Sequence, residues 1–276
     1  MKILSIYQIF LLFIIYSFIG WTCEVLYCSI YQKKFVNRGF LYGPICPIYG
    51  CGALIIFFFL MPLAYNVLLL FFSAMFLMSV LEYFVSWAME KLFDTKWWDY
   101  SHYKFNINGR VCLLNSTLFG VMGVIAVKFV HPMVLKLIYS LNDFWTKTFA
   151  IILLSTFIVD LAFTLKSLVD FKIYLRRFED FIQFLLHKVE QEKWVIDIHD
   201  NIEEFVKKIK EKISSHETSD NSIALVNENL NREIDKKLSI FSEKRKAYKR
   251  YVIKFPKMKS KRFSKSLNHI KSLLKK

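Results

Sequence analysis

The sequence predicts an all-α fold: a polytopic membrane helix bundle of about five spans, one of them short or re-entrant, with a C-terminal cytoplasmic helical, coiled-coil-like extension. Hydrophobic residues make up 55% of the 276 residues, and 28 of these are Phe. They form apolar runs of the length that a bilayer-crossing helix needs, about 20 residues. Charge is uneven, because residues 1–170 carry 12 Lys/Arg and 8 Asp/Glu, whereas residues 171–276 carry 26 and 15. This contrast separates a membrane part from a basic, polar part.

The composition predicts three domains. Residues 1–170 form the transmembrane domain, residues 171–243 a cytoplasmic helical hairpin or coiled coil, and residues 244–276 a basic amphipathic tail. The first apolar run is too long for a signal peptide, and no small-residue cleavage site follows it. The predicted spans are 4–31, 46–61, 66–90, 111–130 and 148–169.

The distribution of Lys and Arg predicts an orientation. The loops after the first and third spans are basic, the loop near residues 62–65 has no Lys or Arg, and the tail is strongly basic. Because cytoplasmic loops are enriched in Lys and Arg, we expect an outside N-terminus and a cytoplasmic C-terminus. The expected location is the bacterial cell membrane, with several passes.

The stretch VNRGFLYGPICPIYGCG, residues 36–52, interrupts the apolar runs with four Gly and two Pro. Non-helical backbone survives at membrane depth only where protein or a water-filled cavity satisfies its polar groups. The stretch therefore predicts a re-entrant or broken-helix element leading into the second span. A loop at the cytoplasmic interface is the alternative.

Three acids lie inside predicted spans: Glu24, Glu82 and Asp160. Charged residues in spans usually face protein or water. They predict either interhelical hydrogen bonding or a polar cavity open to the cytoplasm. Arg38 is the expected counter-charge of Glu24 or Glu82, so that these three residues should form one cluster. In the fourth span, a face of small residues (Ser116, Gly120 and Gly123) predicts close helix packing.

A second polar segment, residues 91–110, alternates aromatic and polar residues. Trp and Tyr favour the headgroup level, which indicates a membrane-surface segment. With Asn37 from the first stretch, it adds Asp99, Asn106 and Arg110 to the candidate ligand or cavity residues. The five Cys have no metal or redox spacing and read as small buried hydrophobes. We predict no metal site, no cofactor and no catalytic residue.

Three blocks, YSFIGWTCEVLY, NRGFLYGPICPIYG and WWDYSHYKFNINGRVCLLNS, resemble the signature blocks of the ABC-transporter permease family of CmpB type. The resemblance covers residues 8–125. It implies a membrane permease, and it carries no defined substrate or catalytic residue. The matching positions are Gly20, Trp21, Glu24, Asn37, Arg38, Gly39, Gly43, Pro44, Pro47, Tyr49, Gly50, Trp98, Asp99, Tyr100, Asn106, Gly109 and Arg110.

In the tail, apolar residues recur at heptad spacing. One seam consists of Val195, Ile198, Ile202, Phe205 and Ile209. Residues 244–276 hold 14 Lys/Arg and no Asp/Glu, with an apolar face formed by Phe263, Leu267, Ile270 and Leu274. This pattern predicts a basic amphipathic helix on the anionic inner leaflet. Nucleic-acid binding is disfavoured, because no recognised motif accompanies the charge.

The sequence favours a transport subunit without an ATPase of its own, because no phosphate-binding GxxxxGK[ST] loop is present. A separate ATPase and a homo- or hetero-oligomer are the expected partners, together with the bilayer. Two alternatives remain open. One is a membrane-embedded enzyme for a lipid or isoprenoid substrate, with the acids as bases and Arg38 and Arg110 binding phosphate. The other is a scaffold that recruits a partner through its tail.

Overall fold

The computed structural model describes residues 4–33, 35–191, 202–215 and 221–273, and the chain forms two compact units. The first unit comprises residues 1–92 and 96–168, and the second comprises residues 93–95 and 169–276. In the described ranges the protein is mainly helical, as predicted, and its strands are those of one two-stranded hairpin in the first unit.

Nine α-helices and two strands follow one another in the described parts of the chain. The helices are α1 Ile6–Gln32, α2 Pro47–Ile55, α3 Val67–Phe93, α4 Leu113–Ile125, α5 His131–Ser140, α6 Asp143–Gln191, α7 Ile202–Ser215, α8 Asn221–Lys254 and α9 Ser264–Leu273. The strands are β1 Asn106–Ile107 and β2 Val111–Cys112, which pair antiparallel.

Within the described residues, four helical stretches are long and apolar enough to cross a membrane: Ile6–Ile30, Val67–Phe93, Leu113–Ser140 and Asp143–His187. A shorter apolar helical stretch runs from Pro47 to Leu63. These stretches correspond to the five predicted spans, but the predicted end of the fourth span and the predicted start of the fifth span were wrong. The stretch Leu113–Ser140 extends ten residues beyond residue 130, where the fourth predicted span ends. The helix α6 begins at Asp143 rather than near residue 148.

Among the described residues, two π-helical turns interrupt the spans, and each ends two residues before a proline. Ile56–Leu60 precedes Pro62, and Ala126–Val130 precedes Pro132. Proline has no amide hydrogen for the helix and its ring crowds the preceding turn. A π-helical turn re-spaces the hydrogen bonds. After Ala126–Val130 the helix continues through Pro132 as α5, whereas after Ile56–Leu60 only the short 3₁₀ turn Met61–Leu63 follows.

The pair α1 and α2 packs closely because glycines lie at the contact. A Cβ atom built on Gly20 would lie 2.2 Å from Cγ of Tyr49, and one built on Gly50 would lie 2.2 Å from Oγ of Ser17. Neither helix could approach the other this closely with a larger residue at these positions. The packing fixes the Tyr49 ring against the α1 face that carries Glu24.

The small-residue face of α4 packs against α3. Gly120 faces the Phe71 ring, and a Cβ built on Gly123 would lie 2.4 Å from that of Ala74. The Ser79 hydroxyl donates to Oγ of Ser116 at 2.7 Å. This face therefore provides the close helix contact that the sequence predicts.

The second unit has an apolar core built from the C-terminal part of α6, the helices α7, α8 and α9, and the segment before α9. Ile209 of α7 and Ile234 of α8 are buried, and Lys210 pairs with Asp235 across these two helices. Asp94 belongs to this unit: it pairs with Lys172 at 2.8 Å, and its carbonyl accepts from the Ser260 hydroxyl at 2.7 Å. Val195 and Ile198 of the predicted heptad seam lie outside the described residues.

The apolar face predicted to lie on the membrane is instead covered by protein. Phe263, Leu267 and Ile270 are each 1% exposed within the second unit. The α9 helix is tied to α6, because the Ser266 hydroxyl donates to the Glu179 carboxylate at 2.7 Å. The amphipathic pattern therefore reflects a packed helix, and Leu274 lies outside the described residues.

Candidate functional site

The irregular stretch after α1 enters the helix layer. We call residues 36–46 the entering segment. The Val36 amide donates to Oγ of Ser29, and the Cys46 amide donates to the Ser17 carbonyl, each at 3.0 Å. From Ser29 to Ser17 a helix rises about 18 Å. The segment therefore runs back alongside α1 over more than half the thickness of a bilayer core, which is about 30 Å. This geometry is that of a re-entrant element rather than an interface loop.

Asp160 of α6 satisfies two consecutive amides of the entering segment. Its Oδ1 accepts from the Tyr42 amide at 2.9 Å, and its Oδ2 accepts from the Gly43 amide at 2.8 Å. The Thr164 hydroxyl donates to the same Oδ1 at 3.2 Å. Asp160 therefore supplies acceptors for backbone donors that would otherwise lack water at this depth.

Asn37 holds the N-terminal part of the entering segment against α1. Its Oδ1 accepts from Nε1 of Trp21 at 3.0 Å and from the Gly39 amide at 2.9 Å. These bonds flank Arg38, whose Nε lies 3.7 Å from Oε2 of Glu24. Asn37 thus positions Arg38, the counter-charge of Glu24 on α1.

Glu24 and Glu82 each accept a hydrogen bond from a tyrosine. The Tyr49 hydroxyl donates to Oε1 of Glu24 at 2.7 Å, and the Tyr100 hydroxyl donates to Oε1 of Glu82 at 3.2 Å. Burial, followed by the carboxylates of Glu82 and Glu24, raises the pKa of the Tyr100 hydroxyl above its usual range. Tyr100 therefore stays a donor to Glu82.

Exposure differs between the two acids. The side chains of Glu24 and Arg38 are 33% and 27% exposed, whereas Glu82 as a residue is 7% exposed. The second carboxylate oxygen of Glu82 has no hydrogen-bond partner among the described residues. We call Glu24, Arg38, Tyr49, Glu82 and Tyr100 the acid cluster. Its two acids come from α1 and α3 and its guanidinium from the entering segment, while its two tyrosines come from α2 and from the loop after α3.

The segment after α3 forms a hairpin, and its predicted position at the membrane surface stays a prediction. The turn between β1 and β2 has Asn108 and Gly109 with φ of 52° and 64°, as a type I′ turn requires. Oδ1 of Asn106 accepts from the Gly109 amide at 3.0 Å. Asp99 is buried, and its Oδ1 accepts from the amide and hydroxyl of Ser101. These contacts of Asp99 and Asn106 shape the loop.

Arg110 anchors this hairpin to α3. Its guanidinium donates to the Tyr83 hydroxyl at 3.0 Å and to Oε2 of Glu90 at 2.7 Å. The Arg110 carbonyl accepts from Nε1 of Trp98 at 3.0 Å. Glu90 lies two helical turns beyond Glu82 on α3, so this ion pair is separate from the acid cluster.

The candidate residues therefore fall into three groups. Glu24 pairs with Arg38, and Glu82 accepts from Tyr100, so one cluster of all three residues stays a prediction. Asn37 and Asp160 hold the entering segment. Asp99, Asn106 and Arg110 shape and anchor the hairpin. In the described parts of the chain, no group of three His, Cys, Asp or Glu side chains is arranged to hold a metal ion.

Sequence reasoning did not select Tyr49 and Tyr100 for the site, although both lie in the blocks that carry the family resemblance. It also missed His131, which is buried in the fourth span. Its Nδ1 lies 3.3 Å from the Tyr16 hydroxyl, and its ring lies 5.2 Å from that of Phe57. A histidine within an apolar run was the available signal, since ionisable residues in spans are rare.

Four apolar helices of spanning length, with a polar cluster and re-entrant backbone among them, define a polytopic α-helical membrane protein. The family described as "Putative ABC-transporter type IV" matches residues 11–165, more than half of the chain. The chain belongs to this family. No curated protein and no solved structure matches it.

Proposed function

We propose that this protein is the membrane subunit of a transport system that is driven by a separate ATPase, and that the acid cluster is where it meets its substrate. The observation that carries this proposal is the Glu24–Arg38 pair beside backbone that enters the helix layer, together with the buried Glu82, which accepts from Tyr100. Re-entrant or broken elements of this kind present polar groups to ligands in many transporters. The family membership supports the same class of function.

The remaining parts of the proposal concern orientation and assembly. An outside N-terminus and a cytoplasmic C-terminus place the basic loops and tail on the inner side. The stretch Pro47–Leu63 is about 25 Å long, which is close to the thickness of a bilayer core. Five crossings are few for a complete pathway, so we propose that the subunit works as a homo- or hetero-oligomer.

The pairing of the two arginines argues against a lipid-processing enzyme. Arg38 lies beside Glu24, and Arg110 donates to Glu90. Neither guanidinium is therefore positioned as an open phosphate site. A transport subunit needs only a polar pathway and a change of shape, which this arrangement supports better.

The test is purification of the tagged full chain from its native membrane, followed by ATPase measurements on the complex. We expect a stoichiometric ATPase subunit, and we expect Glu24→Gln and Glu82→Gln to change its rate. Asp143→Asn is the matched control, because Asp143 is an exposed acid at the start of α6. A complex without an ATPase, or rates in both variants equal to the control, would overturn the proposal.

A further inference from the structure

We propose that Glu82, Ser86 and Tyr100 form a subsite for a protonated amine on the substrate. The inference deepens the transport proposal and rests on it, because it names the chemical class of what the acid cluster meets. Three features carry it: unpartnered polar atoms on one face of α3, an acid without a counter-charge, and a set of acceptors that matches an ammonium group.

Two buried polar atoms on one face of α3 have no hydrogen-bond partner in the described parts of the chain. They are Oε2 of Glu82 and Oγ of Ser86, and these residues are 7% and 2% exposed. Side chains four positions apart on a helix are neighbours, with about 5–6 Å between their Cβ atoms. The two oxygens nevertheless do not bond to each other. Since buried polar atoms in folded proteins are generally hydrogen-bonded, a ligand group that donates to both oxygens would account for them.

Glu82 also lacks a counter-charge. None of the Lys, Arg and His side chains that the structure describes forms an ion pair with it, whereas Glu24 and Glu90 each lie beside an arginine. Its hydrogen bond from the Tyr100 hydroxyl is 3.2 Å long, and the usual O–H···O distance is about 2.7–2.8 Å. A charged side chain in a span is costly unless it is paired. The ligand group should therefore be a cation.

The available acceptors favour an ammonium group over a metal ion. They are Oε2 of Glu82, Oγ of Ser86 and the Tyr100 hydroxyl oxygen, which can accept while it donates. An alkylammonium carries three N–H donors, as the lysine side chain does. Hard metal ions take about six or more oxygen ligands. A protonated primary amine therefore matches these three residues without further ligands.

Tyr100 gives the subsite an accessible side. Glu82 and Ser86 are buried, whereas Tyr100 is half-buried and belongs to the loop between α3 and β1. Its ring therefore reaches from the buried acid to the accessible surface. Rotation of this one side chain would admit a small amine to the carboxylate while the backbone of the loop stays in place, and its return would supply the third acceptor.

The test is thermal unfolding of the full chain in detergent micelles, because a ligand that binds the folded state raises Tm. Methylammonium chloride is the probe. Tetramethylammonium chloride and NaCl at equal concentration are its controls, since both cations carry the same charge and neither has an N–H donor. We expect Tm to rise further with methylammonium than with either control, and this excess to saturate. Equal shifts with all three salts would overturn the subsite.

Two variants locate the binding. Glu82→Gln removes the charge and should abolish the excess. Ser86→Ala removes one acceptor and should raise the methylammonium concentration at half-saturation about tenfold, the factor that loss of one hydrogen bond to a charged group gives. Asp143→Asn and Ser155→Ala are the matched controls, because Asp143 is an exposed acid and the exposed Ser155 donates to the Ile151 carbonyl. Both should keep the excess of the unmodified chain.

An unchanged excess in either folded site variant would overturn the proposal, because methylammonium would then bind elsewhere. If Glu82→Gln fails to fold, Ser86→Ala still decides, since it leaves the carboxylate in place. The measurement involves no ATPase. A negative result with an ATPase present in the purified complex would therefore refute the amine subsite alone, whereas a complex without an ATPase would refute the transport proposal.

Discussion

Gly20→Ala should destabilise the protein, because the added methyl group collides with Tyr49. The new Cβ would lie 2.2 Å from Cγ and 2.4 Å from Cβ of Tyr49. These atoms are near the Tyr49 backbone, so a rotation of the ring cannot remove the clash and α2 must move. The movement takes the Tyr49 hydroxyl away from Glu24, to which it donates at 2.7 Å.

Three effects set the size of the change. Overpacking costs about 1–3 kcal/mol. Loss of the hydrogen bond to a charged Glu24 costs about 1.5–3 kcal/mol. Replacement of a helical glycine by alanine returns about 1 kcal/mol. The free energy of unfolding should therefore fall by about 1.5–5 kcal/mol, the sum of these effects.

The assay is thermal unfolding of the full chain in detergent micelles, followed by circular dichroism. Gly52→Ala is the matched control, because its Cβ would meet only the flexible Met78 sulfur at 3.0 Å and Leu81 at 3.7 Å. It should change Tm little, whereas Gly20→Ala should lower it clearly. Against Tyr49→Gly, which removes the Cβ as well as the ring, the cost of Gly20→Ala should largely vanish. Equal shifts for the two glycine variants would refute the reasoning.

Three further changes test other parts of the first unit. Arg110→Lys cannot keep both α3 contacts, so the hairpin should be cleaved faster in limited proteolysis; an unchanged rate would contradict its anchoring role. Tyr16→Phe should cost about 1–3 kcal/mol of stability by leaving His131 unpaired, whereas Tyr16→Phe with His131→Leu should recover most of it; no recovery would refute the pairing. Because the pKa of Tyr100 is raised in the fold, the stability of the protein should fall as pH rises above about 10. Thermal unfolding at the same pH values should show a smaller loss of stability in Tyr100→Phe.

The helices could be predicted because a bilayer imposes one length and one composition on them. The ends of the helices were harder to predict. The stretch Leu113–Ser140 continues through Lys128, Pro132 and Lys136, residues that usually end an apolar run. Lysines near the ends of spans can extend their charged groups towards the interface. The π-helical turn before Pro132 allows the helix to continue, and periodicity alone does not reveal it.

The candidate site was only partly predictable for a different reason. The cost of an unpaired charge in a membrane indicates that Glu24 and Arg38 need partners, and sequence logic can pair them. The partner of Asp160 is backbone 117–118 positions away in the sequence, so no side-chain pattern identifies it. Likewise, the hairpin that brings Tyr100 to Glu82 depends on the left-handed turn at Asn108 and Gly109.

The tail shows what an amphipathic pattern can decide. Apolar residues at helical spacing indicate a face that water does not favour, but lipid and protein satisfy that face equally well. Phe263, Leu267 and Ile270 are buried, so they are not available to anchor the tail in a leaflet. Its 14 Lys/Arg remain a basis for binding anionic lipid, at about 1 kcal/mol each for those near the surface. Such binding would rest on charge alone, and salt should then remove it almost completely, because no buried apolar contact would remain to hold the tail.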